Sequence, residues 1–366
     1  MDKYLPTIQW IGGRIKIVDQ TRLPLKLRYI WCKDIKDVFK AIKTMRIRGA
    51  PVLGVVASFG LFLGIRDSKA KNFREFKRDL DRGIKYLSKA RPTGFNTFWA
   101  LERMHKKALE NSDKRICEVK DILLKEAKDI LEEDRIICRK MAEFGCRLIE
   151  NNDRILTICN AGSLATADYG TALGVIYRAK EKGKNMKVYV CESRPLLQGA
   201  RLSCWELKER GFDVTLICDS MAANIMKEKK IDKIFCGADR ISRNGDVANK
   251  VGTYNLAVLA KFHNIPFYIV APASTFDLSI LKGKDIPIEE RNEEEVTSLF
   301  FKSRITPFGI KVMNRAFDVT NRSLITAIKL QTKNKTLINN NVILNDISLF
   351  LSLIQRLHPM PQITYP

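Results

Sequence analysis

The chain has 366 residues, of which 45% are hydrophobic and 29% are charged. These values exclude a largely disordered chain and allow a large buried core, most simply divided between two domains. No apolar run reaches the roughly 18 to 20 residues of a membrane-spanning helix, and the first residues lack the pattern of a secretory signal. We therefore expect a cytoplasmic protein that has no contact with a membrane.

The formal net charge of +23 results from 64 lysines and arginines against 41 acidic residues. A field of this sign attracts nucleic acid, or steers a phosphorylated metabolite toward a site. The basic residues are spread along amphipathic stretches such as residues 71–90, "KNFREFKRDLDRGIKYLSKA". Because solvated helix faces explain this pattern better than a nucleic-acid surface does, we do not expect a nucleic-acid partner.

Nine cysteines and three histidines are scattered along the chain. They form no CxxC pair and no spacing typical of metal ligands, so we expect neither a disulfide framework nor a structural zinc site. Most of the cysteines lie in apolar stretches, which favours buried free thiols.

The first third of the chain predicts a small β element followed by helices. Residues 4–20 read as a hairpin, because two β-rich runs flank Gly12-Gly13, a turn pair that tolerates positive φ. From residue 34 to 149, apolar residues recur at three- and four-residue spacing, which predicts helices. We predict a smaller, mostly helical N-terminal domain over residues 1–130, whose last helical stretch bridges to the next domain.

From residue 153 the pattern changes to short apolar runs that alternate with helical segments. Continuous apolar strands with intervening helices indicate a parallel sheet covered on both faces. The sequence therefore predicts an α/β fold, with a Rossmann-like doubly wound domain over residues 131–330. In the segment after the first strand, we expect the turn at Gly162-Ser163 to lead directly into a helix. Residues 331–366 are predicted to form a C-terminal tail, to which we attach no chemistry.

Polar residues follow each predicted strand of this domain. In a parallel sheet the carboxyl ends of the strands meet at one edge, where ligands bind in open α/β folds. The residues concerned are Cys159 and Asn160 after the first strand, Glu192, Arg194, Gln198 and Arg201 after the second, Asp219 and Ser220 after the third, and Asp239, Arg240, Asn244, Asp246, Asn249 and Lys250 after the fourth.

Two of these residues are candidates for acid–base chemistry. Asp239 follows an apolar strand, where a carboxyl group can have a raised pKa and serve as a general acid or base. The other interpretation is an aspartate that pairs with Arg240 or caps a turn. The Cys159 thiolate would be favoured by a helix that begins just after it, although a packed thiol is the commoner outcome. The sequence alone leaves both questions open.

Two arginine loops in the basic N-terminal region suggest recognition of a phosphate. Arg48 and Gly49-Ala50 precede Pro51, a residue typical of the first turn of a helix. A guanidinium beside the backbone N–H groups of a helix start forms an anion site. Arg91, in "RPTGFNTFWAL", has the same setting.

Taken together, the motifs of the chain resemble the methylthioribose-1-phosphate isomerases from about residue 10 to residue 328. The matching stretches are "MRIRGAPVLG", "RPTGFNTFWAL", "CNAGSLATADYGTALGVI", "ESRPLLQGARLSCWEL", "GADRISRNGDVANKVGTYNLAVLAKFHNIPFYIVAPASTFD", "PIEER" and "NRAFDVTNRSLITAI". This family is similar to ribose-1,5-bisphosphate isomerases and to regulatory subunits of the eukaryotic initiation-factor exchange complex.

The resemblance implies an aldose–ketose isomerase of methionine salvage that converts 5-methylthioribose 1-phosphate to 5-methylthioribulose 1-phosphate. It also implies a homodimer that uses no metal or other cofactor. Cys159 and Asp239 match the catalytic pair of the family. The substrate-binding residues are matched by Arg48, Gly49, Ala50, Arg91, Gln198, Asn249 and Lys250.

Two alternatives remain at this point. A ribose-1,5-bisphosphate isomerase would need a second cationic pocket for the 5-phosphate, whereas a methylthio group needs an apolar one. A regulatory relative without catalysis would have no need to keep both Cys159 and Asp239.

Overall fold

The computed structural model describes residues 6–329 and a strand at residues 336–338. Its first element is a three-stranded antiparallel sheet in the order β1-β2-β3. Gly12 and Gly13 form the two-residue turn between the first two strands, with φ of 55° and 74°, so the predicted hairpin is confirmed. The strands are β1 (Ile8–Ile11), β2 (Arg14–Val18) and β3 (Tyr29–Cys32).

Five helices follow the small sheet in the described part of the chain, as the apolar spacing predicts. They are α1 (Ile35–Lys43), α2 (Ala50–Ile65), α3 (Phe73–Ser88), α4 (Phe95–Leu109) and α5 (Ile116–Gly145). Helix α2 is buried on nearly all sides and packs against α1, α3, α4 and α5. Among the residues described, no helix combines the length and the apolar character needed to cross a bilayer.

Helix α5 is 30 residues long and runs through two hydrophobic cores. Its first half contributes Leu123 and Ala127 to the core around α2. Its second half contributes Cys138 and Met141 to the core beneath the large sheet. The predicted boundary at residue 130 lies within this helix, and the division into two domains stays a prediction.

The second part of the chain is built on a large sheet whose strands follow the order β14-β13-β10-β7-β4-β5-β6. Six of these strands are parallel, and β14 pairs antiparallel at the edge. They are β4 (Asp153–Thr157), β5 (Met186–Cys191), β6 (Asp213–Ile217), β7 (Lys233–Cys236), β10 (Phe267–Val270), β13 (Ala327–Lys329) and β14 (Thr336–Ile338).

Helices cover both faces of this sheet, which confirms the doubly wound α/β prediction. One face packs against α8 and α9 through Ile225 and Leu256, and the other against α5 and α6 through Met141 and Val175. The strand order reverses between β4 and β7, and this switch point opens the crevice in which such folds bind ligands. The helices are α6 (Ala172–Glu181), α7 (Cys204–Glu209), α8 (Ala222–Lys227), α9 (Thr253–Phe262) and α10 (Glu294–Thr297).

A four-stranded sheet in the order β11-β8-β9-β12 lies beside the large one, and the sequence analysis did not predict it. Asn244-Gly245 lies in the turn between β8 and β9, with Gly245 at φ 89°. An Asn-Gly pair between apolar residues is a hairpin signal, so the sequence does contain evidence for this turn. The strands are β8 (Arg240–Ser242), β9 (Val247–Lys250), β11 (Phe276–Asp277) and β12 (Phe317–Thr320).

The prediction of a helix directly after Gly162-Ser163 was wrong. A 3-10 turn occupies Ser163–Ala165, and α6 begins only at Ala172. The intervening loop folds back on itself, because the Thr166 hydroxyl accepts the Gly170 N–H and the Ala161 carbonyl accepts the Thr171 N–H. Hydroxyl side chains offer the backbone such an alternative to a helix. Of the predicted tail, residues 331–335 and 339–366 lie outside the described residues.

Candidate active site

A cavity with about 710 Å³ of empty space opens at the switch point of the large sheet, where the start of α2 faces the ends of β4 and β7. The structure brings all nine residues that match the catalytic and substrate-binding positions of the family into the wall of this one cavity. They are Arg48, Gly49, Ala50, Arg91, Cys159, Gln198, Asp239, Asn249 and Lys250. Of the other polar residues expected at the strand ends, Asn160 lines the cavity, and Glu192, Arg194, Arg201, Asp219, Ser220, Arg240, Asn244 and Asp246 do not. Residues that are far apart in the sequence therefore meet at one place, and the roles assigned to them stay predictions.

Cys159 lies just beyond the end of β4 in a left-handed backbone conformation, with φ at 61°. Serine hydroxyls hold it there. The Cys159 N–H donates to Ser193 Oγ at 2.7 Å, and its carbonyl accepts from Ser203 Oγ at 2.6 Å. A non-glycine residue at positive φ is strained, and such strain persists only where its surroundings enforce it.

The cavity wall raises the pKa of the Cys159 thiol, because burial disfavours the thiolate more than Arg48 and Lys250 favour it. The expectation that a helix start next to Cys159 would stabilise the thiolate was therefore wrong. The nearest α-helix in the following chain begins at Ala172, and a helix dipole acts only within about one turn of the helix end.

Asp239 follows β7, and its N–H donates to the carbonyl of Ala248 at 2.9 Å. Burial raises the pKa of its carboxyl group, while Arg91, Arg48 and Lys250 partly oppose the shift. The direction agrees with the sequence-based expectation. Arg240, the ion-pair partner considered for Asp239, lies 3.4 Å from Asp277, measured from Nε to Oδ2.

Arg48 and the start of α2 form the first cationic corner of the cavity. The Arg48 guanidinium donates through one nitrogen to the carbonyl and to Oδ1 of Asn160, at 3.0 and 2.9 Å. Gly49 has φ 115°, and a Cβ at this position would lie 2.5 Å from Cα of Ala165. Only glycine therefore lets the helix start approach the Ser163–Ala165 turn so closely.

Arg91 and Arg291 supply a second cationic corner, joined by an acidic residue. Arg91 Nε lies 3.6 Å from Glu289 Oε2, and Arg291 forms a 2.7 Å ion pair with the same carboxylate. Arg291 lines the cavity, although the sequence analysis did not select it. It closes the "PIEER" motif, which supported the resemblance but from which no site residue was taken.

Three more polar side chains, those of Lys250, Asn249 and Gln198, are buried and line the cavity. Burial lowers the pKa of Lys250. Asn249 donates to the Thr253 hydroxyl at 3.0 Å, which fixes its amide. Gln198 Oε1 has no hydrogen-bond partner among the described residues, although its side chain is buried. A buried acceptor left without a donor is costly, so this oxygen points to a ligand that completes the site.

Apolar side chains form the rest of the wall, and they are Met45, Pro51, Ile158, Leu196, Ala316 and Phe317. Phe95 is buried beside a neighbouring cavity of about 400 Å³ of empty space. Its ring lies 4.9 Å from the Arg240 guanidinium. The main cavity thus combines cations, one carboxyl, one thiol and an apolar side, which suits a small phosphorylated molecule with an apolar end.

Comparisons with known proteins identify the family of the chain. Residues 46–329 match the initiation factor 2 subunit family. A methylthioribose-1-phosphate isomerase from Fervidobacterium nodosum is 48% identical over 324 residues, which cover 88% of this chain and 92% of that protein. The crystal structure of a 5-methylthioribose 1-phosphate isomerase from Pyrococcus horikoshii matches with a TM-score of 0.85 and 39% identity, over 97% of both chains.

A structure from A. fulgidus described as the delta subunit of translation initiation factor eIF-2B is 45% identical, with a TM-score of 0.77 over 89% of this chain and 94% of that one. Proteins described as isomerases and as initiation-factor subunits thus share this fold. The chain belongs to the initiation factor 2 subunit family and, within it, to the methylthioribose-1-phosphate isomerases.

Proposed function

We propose that the chain converts 5-methylthioribose 1-phosphate to 5-methylthioribulose 1-phosphate, with Asp239 and Cys159 as its catalytic pair. As a member of the methylthioribose-1-phosphate isomerases it is an enzyme, an aldose–ketose isomerase. One observation carries the proposal for the residues: a single cavity joins a phosphate-binding corner at Arg48 to a carboxyl and a thiol.

The chemistry requires an acid before it requires a base. The anomeric carbon carries the phosphate, so the furanose ring must open before hydrogen can move. Asp239 donates a proton to the ring oxygen as the bond from C1 to that oxygen breaks. The hydrogen on C2 then moves to C1, the C2 hydroxyl gives its proton to the Asp239 carboxylate, and a ketone forms at C2. Burial raises the pKa of the Asp239 carboxyl group, and a raised pKa favours the protonated form that the first step uses.

Cys159 acts in this scheme as a neutral thiol. Because burial raises its pKa, the group remains protonated near neutral pH. We assign it to stabilisation of the oxygen that becomes the ketone, and to exclusion of water from the open-chain intermediate. In a hydride transfer the hydrogen carries its electron pair from C2 to C1. In a proton transfer the Asp239 carboxylate would take the hydrogen from C2 and return it to C1 before it accepts the hydroxyl proton.

The phosphate is assigned to the cationic corners. Arg48 and Arg91 would bind its oxygens, together with the N–H groups of Gly49 and Ala50 at the start of α2. Lys250, Asn249 and Gln198 would hold the sugar hydroxyls, and the Gln198 acceptor would gain a donor there. The apolar wall receives the methylthio group.

The test measures ketose formation from 5-methylthioribose 1-phosphate and from ribose 1,5-bisphosphate. It uses the wild type, Cys159→Ser, Asp239→Asn and, as a control, Cys204→Ser, which alters a half-buried thiol outside the cavity. Activity on the first substrate that is lost in both site variants and kept in the control supports the proposal. Preference for the bisphosphate makes the chain the sister isomerase. A folded wild type that is inactive on both substrates is a regulatory relative.

We also propose that the protein works in the cytoplasm, as the sequence predicts, and as a homodimer, as the resemblance to the isomerases implies. Light scattering coupled to size-exclusion chromatography tests the assembly. A mass near 84 kDa supports the dimer, twice the 41.9 kDa of one chain, and a mass of one chain overturns it.

A further inference from the structure

A buried carboxylate lies behind the phosphate-binding corner, outside the set of candidate site residues. Glu206, on α7, is 1% exposed. It accepts hydrogen bonds from Asn160 Nδ2 at 2.7 Å, from the Tyr177 hydroxyl at 3.2 Å and from the Leu164 N–H at 3.4 Å. All three donors are neutral. A buried carboxylate held only by neutral donors costs folding free energy, so its presence here needs an explanation.

Asn160 links this carboxylate to Arg48. The Asn160 amide donates to Glu206 on one side and accepts from the Arg48 guanidinium on the other, at 2.9 Å. The orientation of the amide is therefore fixed by two charged groups. Burial disfavours the charged form of Arg48, and the nearby Cys159, Asp239 and Glu206 favour it, in that order.

We propose that Glu206 is a positioning residue: through Asn160 it holds Arg48 charged and aimed into the cavity, ready for an anionic group of the substrate. The inference rests on the proposed function, in which that group is the phosphate. Glu206 itself lies outside the cavity wall. In this proposal its effect reaches the substrate indirectly, through Asn160 and Arg48, and the dependence on Arg48 is what an experiment can detect.

The experiment is a double-mutant cycle read as KM and kcat for 5-methylthioribose 1-phosphate. Glu206→Gln keeps an acceptor for Asn160 and removes the charge. We expect it to raise KM about tenfold while kcat changes less, since the loss is one of binding. In an Arg48→Met background the same substitution should change KM less than about twofold, because the residue through which it acts is gone.

Glu126→Gln is the matched control, since Glu126 is also a buried glutamate and pairs with Arg103 away from the cavity. It should leave KM unchanged. A tenfold effect of Glu206→Gln in both backgrounds, or no effect on KM in the wild-type background, overturns the proposal. Should Glu206→Gln fail to fold by circular dichroism, Asn160→Ala breaks the same link and is put through the same cycle.

The two proposals fail in different ways. If the folded wild type has no isomerase activity, the proposed function fails. The cycle is then measured as the dissociation constant of inorganic phosphate by calorimetry. Coupling between Glu206 and Arg48 in that measurement supports the positioning role, and independent effects overturn it.

Discussion

At the scale of single residues, burial disfavours the charged forms of both the acids and the cations of the cavity. It raises the pKa of Asp239 and Cys159, while Arg48 and Lys250 oppose both shifts, and it lowers the pKa of Arg48 and Lys250. In the proposed function, the raised pKa of Asp239 suits a proton donor.

Asp134 allows a prediction of how the stability of the fold depends on pH, because burial raises its pKa to about 7. The folded protein therefore keeps a proton there that the unfolded chain releases near pH 4. Stability from this group is full below about pH 4 and is lost as the pH rises toward about 7. We expect Asp134→Asn to be more stable than the wild type by about 1–3 kcal/mol at about pH 8, and equal to it at about pH 4.

Unfolding by urea at a series of pH values measures this difference. The Ala167 N–H, which donates to Asp134 at 2.7 Å, keeps an acceptor in the variant. A stability difference that is the same at both ends of the pH range would contradict the assignment.

At the scale of elements, the site depends on how closely the start of α2 approaches the Ser163–Ala165 turn. We predict that Gly49→Ala destabilises the fold by more than about 3 kcal/mol and abolishes activity, because a Cβ would strike the Ala165 backbone. Gly183→Ala is the control. Gly183 has φ 82° with nothing within 4 Å of the added Cβ, so only the left-handed penalty of about 1–2 kcal/mol applies.

Thermal unfolding and the isomerase assay on both variants check this prediction. Equal losses of stability in the two variants would show that backbone conformation alone, without the close approach, explains the requirement for glycine.

The parts of the site that could be predicted are those fixed by local rules. The ends of parallel strands converge, so Cys159 and Asp239 were placed together correctly. Arg291 and Glu206 were missed because their relation to the cavity depends on packing between elements distant in the sequence. The late start of α6 was missed for a related reason. The apolar residues before Ala172 are compatible with a longer helix, and periodicity does not reveal the threonine hydrogen bonds that delay its start.

At the scale of the whole molecule, α5 connects the two large cores. We predict that Leu123→Ala and Met141→Ala, one in each core, both destabilise by about 2–5 kcal/mol. Because the continuous helix α5 belongs to both cores, a loss of stability in either core should affect the other. Each of the two substitutions should therefore lower the temperature of one shared unfolding transition. Calorimetry checks this, with loss of activity followed at the same temperatures. Two separate transitions, each moved by only one of the substitutions, would show that the halves unfold independently.

The net charge of +23 leads to a second prediction at this scale. A cationic protein attracts an anionic substrate, and salt weakens that attraction. We expect kcat/KM to fall several-fold between about 0.05 and about 0.5 M NaCl while kcat changes little. Steady-state assays with potassium chloride in place of sodium chloride control for a specific effect of sodium. A kcat that falls in parallel with kcat/KM would place the salt effect on the chemistry.

The left-handed backbone at Cys159 lowers the stability of the fold, and in the proposed function it places the thiol in the cavity. Glycine would relieve the strain at φ 61° and would remove the thiol, so Cys159→Gly should be both easier to fold and inactive. In the proposed function, this strain is the folding cost of placing a thiol at the end of β4.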